Sequence, residues 1–427
     1  MSTPGKLLTL AGCGCGSRTR TYMSLAAEMP DKYRIVAGAD PVPDRVEAVR
    51  AMSGNPGFQG FANFDELLAR PRLADVLIIG TQDADHYEPA RRAMELGYHL
   101  LLEKPAATTL EQVLDLEQVA VAHQRRVLLG FVLRYTRFYR TVRSILESGK
   151  LGRVVSFNLN EGVGAWHQSH SFVRGHWSRS ADSTPMILAK CSHDLDLMVW
   201  LFGARCEAVN SFGRLSHFHA GNAPAGAPAR CTDGCPVGGT CEYNATLYTG
   251  KHKGWLSMVM DGWKTASDEQ ILAWLRTSPW GRCAYRCDND VPDHQVLAMD
   301  FEGGMTGTFT MTAFDEGRHL EIHGTQAVLK GGESLRKLTG SDLAILPHNG
   351  SEIERIDTRA DEGKGYKGHG GGDQGLMEAL YEEMSKPDSA AMTTSIQQSV
   401  ESHYMGFAAE ISRREKRTVR LDELRRG

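Results

Sequence analysis

The chain has 427 residues, 41% of them hydrophobic and 23% charged, and a formal net charge of −4. That balance belongs to an ordinary globular protein of two or three domains and gives no electrostatic basis for binding nucleic acid or an anionic bilayer. No apolar run approaches the ~18 residues of a membrane helix, nine cysteines argue against a secreted disulfide framework, and strand-like KLLTLAG begins at Lys6, so the expected location is the cytosol.

Up to about residue 130, apolar β-rich runs alternate with helical patterns. The runs are 7–11, 34–39, 75–80, 98–103 and 126–131; the helical patterns are 22–28, 44–52, 86–96 and 110–122. Continuously apolar strands separated by helices predict a doubly wound parallel sheet buried on both faces. Thr109, with Gln112 three residues later, reads as a capping box. After ILESGKLG, where Gly149 and Gly152 mark a turn, the pattern becomes that of an antiparallel sheet with helices on one face. Gly303–Gly304 predicts a hairpin turn, 376–384 and 395–414 predict helices, and 220–229 reads as a flexible loop.

The first strand leads into AGCGCGSRTRTY. Two registers fit a dinucleotide fingerprint there: Gly12-x-Gly14-x-x-Ser17 and Gly14-x-Gly16-x-x-Thr19. Glycines let the backbone turn tightly beneath a pyrophosphate seated on a helix N-terminus. Asp40, closing the second strand, has the spacing of a carboxylate that binds the adenosine ribose. A carboxylate repels a 2′-phosphate, so NAD is favoured over NADP, with Arg18 and Arg45 close enough in sequence to modify that preference. Cys13 and Cys15 read as small loop residues.

Lys104 precedes a proline, which pushes it into extended geometry at the end of a strand and out of the next helix. The carboxyl edge of an open α/β sheet is where ligands bind. An ammonium held near a positive nicotinamide ring has its neutral form favoured, and a neutral amine accepts a hydroxyl proton as hydride leaves carbon. The competing reading pairs Lys104 with a carboxylate on the rim. Thr81, His86 and Glu103 lie on the same edge and complete the cofactor set.

The glycine loop, ADP at the second strand end, the EKP turn and a later HDLD helix together resemble the Gfo/Idh/MocA family of oxidoreductases. The resemblance runs over nearly the whole chain and includes GKLG, RHLEIHGTQAVL and SVESHYMGFAAEISRR. It implies an NAD(P)-binding Rossmann domain over 1–133 and a substrate-binding and oligomerisation domain over 134–427. The second domain would be α+β, with a large, mostly antiparallel sheet and a Cys-rich insertion around 220–290. It further implies sugar or polyol substrates, a homodimer or homotetramer, and Lys104 acting at the reacting hydroxyl. The family's Asp-x-Gly-x-His-x-x-Asp motif is only partly kept in AKCSHDLD. His193 and Asp196 hold the last two places, while Ala189 and Cys191 replace the Asp and Gly beside Lys190. His193 is a candidate for proton transfer, and Lys190 is a further catalytic candidate.

Arg174, His176, Trp177, Arg179 and Lys190 fall in one loop-like stretch, with Arg134 and Tyr135 after the fifth strand. Aromatic faces suit pyranose rings and guanidinium forks suit anions, which points to an anionic sugar or a polyhydroxylated glycoside; the alternative is a solvated loop with its own salt bridges. Cys231-x3-Cys235-x5-Cys241 and Cys283-x3-Cys287 place five thiols in a segment with no evident core. Cys231, Cys235, Cys241 and Cys287 are candidate ligands of a structural zinc ion, against plain reduced thiols or an iron–sulfur cluster. Three functions follow. The first is NAD-dependent removal of hydride from a sugar ring carbon, C3 foremost. The second is a redox-neutral glycosidase that oxidises, eliminates, adds water and reduces back. The third is a non-catalytic NAD-sensing regulator.

Overall fold

Six short runs pair side by side, all parallel, in the computed structural model, which describes residues 6–359, 369–387 and 395–426. They are β1 (Leu8–Cys13), β2 (Tyr33–Ala39), β3 (Gln59–Phe61), β4 (Val76–Ile79), β5 (His99–Leu102) and β6 (Val127–Leu129), in the order β3-β2-β1-β4-β5-β6. Between them lie α1 (Ser17–Ala27), α2 (Pro43–Ser53), α3 (Phe64–Leu68), α4 (Tyr87–Glu95) and α5 (Leu110–Ala122). Every side chain of β4 and β6 is buried, as two-sided coverage demands. Strand β3 has no counterpart among the expected runs because it is an edge strand with only Phe61 inward. Helix α1 starts at Ser17, ahead of the apolar pattern, because its first turn, SRTRT, carries no apolar residue. At α5 the Thr109 hydroxyl accepts from Gln112 N at 3.3 Å, but the Gln112 side chain accepts from the Thr108 hydroxyl, so the cap forms on one side of the expected box.

Both sheet faces also recruit helices from late in the chain. Leu376, Met377, Leu380 and Met384 of the helix Gly372–Ser385 pack with Leu10, Val76, Ile78 and Leu101. Ile396 and Val400 join the opposite core with Leu77, Ile79 and Leu100. One compact unit accordingly comprises Met1–Gly149, Ser192–Arg205 and Thr358–Phe407, and the other Lys150–Cys191, Cys206–Asp357 and Ala408–Gly427.

The second unit is built on nine strands: β7 (Val154–Val163), β8 (Cys206–Arg214), β9 (His294–Phe301), β10 (Met305–Thr312), β11 (Glu316–Gly324), β12 (Ala327–Gly332), β13 (Leu343–Pro347), β14 (Glu354–Ile356) and β15 (Val419–Arg420). Their order is β14-β13-β12-β11-β7-β10-β9-β8-β15. All pairs are antiparallel except β7 with β10. The expected hairpin is present: β9 and β10 are joined through Glu302–Gly304, with Gly303 and Gly304 at φ of +81° and +78°. Side chains on β9 alternate between buried and exposed. On the open face Phe212, 66% exposed, pairs directly with exposed Val296.

Strands β8 and β9 are neighbours, with Arg214 opposite His294, yet the chain between them makes a long excursion. Asp293 closes its neck: the buried carboxylate accepts from Ser216 N at 2.9 Å, His217 N at 2.6 Å and the Ser216 hydroxyl at 3.0 Å. Burial pushes that carboxyl up, but these bonds and His294 outweigh it and hold it below the usual range. The excursion has its own core of Tyr248, Leu256, Ile271, Leu275 and Trp280, packed against Trp166, Trp255, Trp263 and Trp274. This corrects the expectation of a coreless segment. Its apolar residues are spread over short 3-10 turns and one helix, Asp268–Thr277, so no single period reveals them. The expected loop around Arg174, His176, Trp177 and Arg179 is made of bends and turns up to the short helix Met186–Ala189; ahead of it Ala165–His167 continues as a π-helical turn, Gln168–Val173. Among the described residues no helix is long and apolar enough to cross a membrane.

Candidate active site

At the carboxyl edge of the parallel sheet, β1 runs into Gly14 at φ +76°. A Cβ there would lie 2.8 Å from Thr81 N, so the close approach of the two loops requires glycine. Gly16 is the N-cap of α1, with no side-chain cap and no acidic residue in the first turn. The helix N-terminus therefore keeps donors available for an anion. Thr19 is fully buried beneath Gly12 and Gly80, while Ser17 is exposed. The register ending at Thr19 thus puts its small residue at the strand–helix contact. Asp40 follows β2, only 4% exposed; its Oδ1 accepts from Val42 N at 2.9 Å and stands 3.9 Å from Arg45 Nη1. Burial pushes the Cys15 thiol up to about 12 and Cys13 upward too, so both are inert packing residues.

Glu103, Lys104 and Pro105 follow β5 directly, with a cis Lys104–Pro105 peptide. The turn is held from three sides. Glu103 Oε1 accepts from Tyr22 Oη at 2.6 Å and Arg18 Nε at 2.9 Å, and Oε2 accepts from Lys104 N at 3.1 Å. Pro105 O accepts from His86 Nδ1 at 2.8 Å, which fixes that nitrogen as the protonated one. Ala106 N donates to His403 Nε2 at 3.0 Å, while His403 Nδ1 donates to Ser399 O at 2.9 Å. Burial lowers His403 to about 4, so the ring is neutral, as this pattern requires. Burial would raise Glu103, but the charges of Arg18 and Lys104 and the bond from Tyr22 hold it below its usual range. Arg18, a cofactor candidate by sequence, is committed here: besides Glu103 it bonds Asp373 Oδ1 at 2.6 Å. Asp373, also bonded by His369, drops to about 2 despite its burial. Sequence reasoning missed Tyr22, Asp373 and His403. The one signal available was Ser399-x3-His403, one helical turn apart.

His193 meets Phe131 edge-on, ring centroids 5.8 Å apart. Phe131 follows β6 as Lys104 follows β5, so the residue that His193 meets and the EKP turn leave the same edge of the sheet. Arg134 does not serve as a substrate contact. It is buried and grips Asp196 with two bonds, Nε to Oδ2 at 2.6 Å and Nη2 to Oδ1. Burial pushes the Asp196 carboxyl up against the opposing pull of Arg134. Tyr135 lines a cavity of about 420 Å³ between the helices Arg137–Glu147 and Gly372–Ser385.

The remaining candidates lie in the second unit. Lys190 Nζ pairs with buried Glu161 at 2.8 Å, and Arg318 Nε reaches the same carboxylate at 2.9 Å. Arg174 is 2% exposed and faces inward, donating to Arg282 O and Tyr243 O, so it is no cleft anchor. Arg179 is exposed and forms surface ion pairs with Asp182 and Asp288. His176 is exposed and Trp177 half-buried, their rings edge to face. The zinc set is also corrected. Among the described residues no three His, Cys, Asp or Glu side chains form a ready metal-holding group. Cys287 donates to Cys283 O and packs near Phe218, while Cys283 shares a small cavity with Cys231, Cys235 and Cys241.

Residues 8–131 match the family described as oxidoreductase family, NAD-binding Rossmann fold, and residues 139–330 match the GFO/IDH/MocA C-terminal domain. The chain is 25% identical over 386 residues to the putative oxidoreductase YteT of Bacillus subtilis, covering 86% of this chain and 87% of that one. It is 28% identical to the inositol 2-dehydrogenase of Streptomyces avermitilis over 48% of this chain and 56% of that one. Its fold is similar to that of a levoglucosan dehydrogenase solved with NADH, with a TM-score of 0.68 at 17% identity, covering 97% and 99% of the two chains. With a Rossmann sheet, a second, mostly antiparallel sheet and both family regions in sequence, the chain belongs to the Gfo/Idh/MocA family of oxidoreductases.

Proposed function

We propose that this protein is an NAD-dependent dehydrogenase of a sugar or glycoside, taking hydride from a ring carbon, C3 foremost. The observation that carries the reading is the EKP turn: Lys104 follows β5 at the carboxyl edge, and the side chains of Glu103, His86 and His403 bond the backbone of residues 104–106. The family's sugar and polyol dehydrogenases support the substrate class. Residues 1–133 would hold the cofactor and 134–427 the substrate.

The glycine loop fits a dinucleotide: the pyrophosphate would sit on the uncapped N-terminus of α1 under Gly14 and Gly16, the ribose on Asp40, and Thr81 and His86 would flank the nicotinamide half. Asp40 favours NAD over NADP. Bound NAD supplies the hydride acceptor. Lys104 receives the hydroxyl proton, His193 assists that transfer, and Glu103, with Arg18 behind it, keeps the amine at the edge. Lys190, His176 and Trp177 are the proposed substrate contacts, and two cations on the single carboxylate of Glu161 support an anionic sugar. A cytoplasmic homo-oligomer, joined through the open face around Phe212 and Val296, completes the proposal.

A panel of pyranosides in deuterated water, followed by absorbance of reduced nicotinamide and by deuterium in the product, tests the reading. Stoichiometric NADH with an oxidised sugar supports it. Aglycone release with deuterium at C2 and no net NADH would establish the redox-neutral glycosidase instead, and no turnover with tight NAD binding would establish a regulator.

A further inference from the structure

We propose, resting on Lys104 as the acceptor of the hydroxyl proton, that Asp373 is a positioning residue for that amine: through Arg18 and Glu103 it sets how much negative charge the amine meets, and so the pH at which Lys104 sheds its own proton. The four residues belong to the unit built on the parallel sheet, and their charges alternate along one line of contacts. A Cβ on Gly130, just after β6, would lie 3.0 Å from Cδ, Oε1 and Oε2 of Glu103, so this carboxylate lies against the backbone of the neighbouring strand end. Its Oε1 accepts from Arg18 Nε at 2.9 Å and its Oε2 from Lys104 N at 3.1 Å. At the far end, Cβ atoms on Gly372 and Gly375 would lie 2.5 Å from Val132 O and 2.8 Å from Tyr135 Cβ, so the helix Gly372–Ser385 sits directly on the turn Val132–Tyr135. That seating sets Asp373, 1% exposed, against Arg18, with Nη2 to Oδ1 at 2.6 Å and Nη1 to Oδ2 at 3.4 Å.

One guanidinium thus answers two buried carboxylates. The other titratable groups around this line, among the described residues, come from four places. Tyr22 of α1 lies beneath Arg18 and donates to Glu103 Oε1; burial raises its phenol well above the usual range and keeps it neutral. His369 bonds Asp373 Oδ2 at 3.0 Å. His86 and His403 bond the backbone of Pro105 and Ala106, and His193 meets Phe131 on the adjacent strand end. Burial pushes the Glu103 carboxyl up, but the charges of Arg18 and then Lys104 hold it below its usual range, and the same attraction acts on the amine in return. Buried charges are weakly screened, so the two ends of the Arg18–Asp373 pair act on the amine with opposite sign. Without the Asp373 charge, Arg18 answers Glu103 alone and the neutral amine is favoured. Without the Arg18 charge, two carboxylates remain and the ammonium is favoured.

The test titrates Lys104 directly in the full chain with NAD bound. The lysines are reductively methylated with isotope-labelled formaldehyde, and the Lys104 signal is assigned by its absence in Lys104→Arg. Its titration midpoint should fall by about half a pH unit or more in Asp373→Asn, rise by a similar amount in Arg18→Gln, and return close to wild type in the double variant. A loss of packing would not give shifts of opposite sign that cancel. Arg18→Gln leaves two buried carboxylates together and can fail to fold, so Asp373→Asn, which keeps an oxygen facing Arg18, is decisive by itself. The acid limb of turnover, measured with a pyranoside that the panel shows to react, should move in the same direction as the midpoint. A midpoint that stays put in folded, NAD-binding Asp373→Asn overturns the inference and leaves Lys104 as the acceptor. Full turnover in Lys104→Ala overturns both.

Discussion

Lys104 and Phe131 hold matching places on adjacent strands: Leu102 pairs with Leu129, and each residue lies two positions further on. His193 meets edge-on the ring of Phe131, the residue that follows the strand next to Lys104's own. In Lys104→Ala the backbone turn keeps its three anchors, so NAD affinity should stay within about threefold while turnover falls by ~10²–10⁴. His193→Ala should also lower turnover, by a smaller factor. Steady-state kinetics alongside NAD titration check both. Unchanged turnover in Lys104→Ala would remove the lysine from the chemistry.

Acid should destabilise the first unit in two steps. His403 is neutral when folded, with its value lowered to about 4 from 6.5. Its contribution is complete above the unfolded value and is lost as pH falls toward the folded one, because the unfolded state takes up the proton first. The slope from this group is at most about 1.4 kcal/mol per pH unit. Thermal melts from about pH 7 to about pH 5 should show it, and His403→Gln should flatten it. Asp373 and Glu103 have lowered folded values, so their contribution is present above the unfolded value and declines as pH falls through the folded one; for Asp373 that window runs from 3.8 down to about 2.

The Arg134–Asp196 pair should behave as structure. Arg134→Ala leaves a buried carboxylate alone and should cost about 3–5 kcal/mol in denaturant unfolding. Replacing both partners, Arg134→Met with Asp196→Leu, should cost far less, since the desolvation of both charges is then avoided. A rise in substrate KM without loss of stability would restore Arg134 to the binding site.

Gly14→Ala should raise the dissociation constant for NAD by at least about tenfold, measured by calorimetry. The left-handed backbone adds about 1–2 kcal/mol of strain, and the new methyl presses on Thr81 N.

The parallel sheet was legible because its strands are continuously apolar and its helices short and periodic. The EKP turn was legible because a proline marks it. What lay hidden was what the turn is fastened to: Asp373 is far from Arg18 in sequence, and no local pattern announces that Gly372–Ser385 returns to the parallel sheet. The basic residues after Gly164 misled for a related reason. Composition shows a cluster of cations but not where each points, and Arg174 points inward while Arg179 meets surface carboxylates. The cysteine spacing brings four thiols to one small cavity, but spacing does not show whether side chains converge, and among the described residues these form no metal-holding group.

The excursion between β8 and β9 leaves and re-enters the sheet at facing positions, Arg214 and His294, with Asp293 fastening the doorway. Nothing in the ladder of either strand depends on how far the chain travels in between. A longer or shorter tryptophan-lined annex could thus hang from the same doorway without disturbing the register of one neighbouring strand.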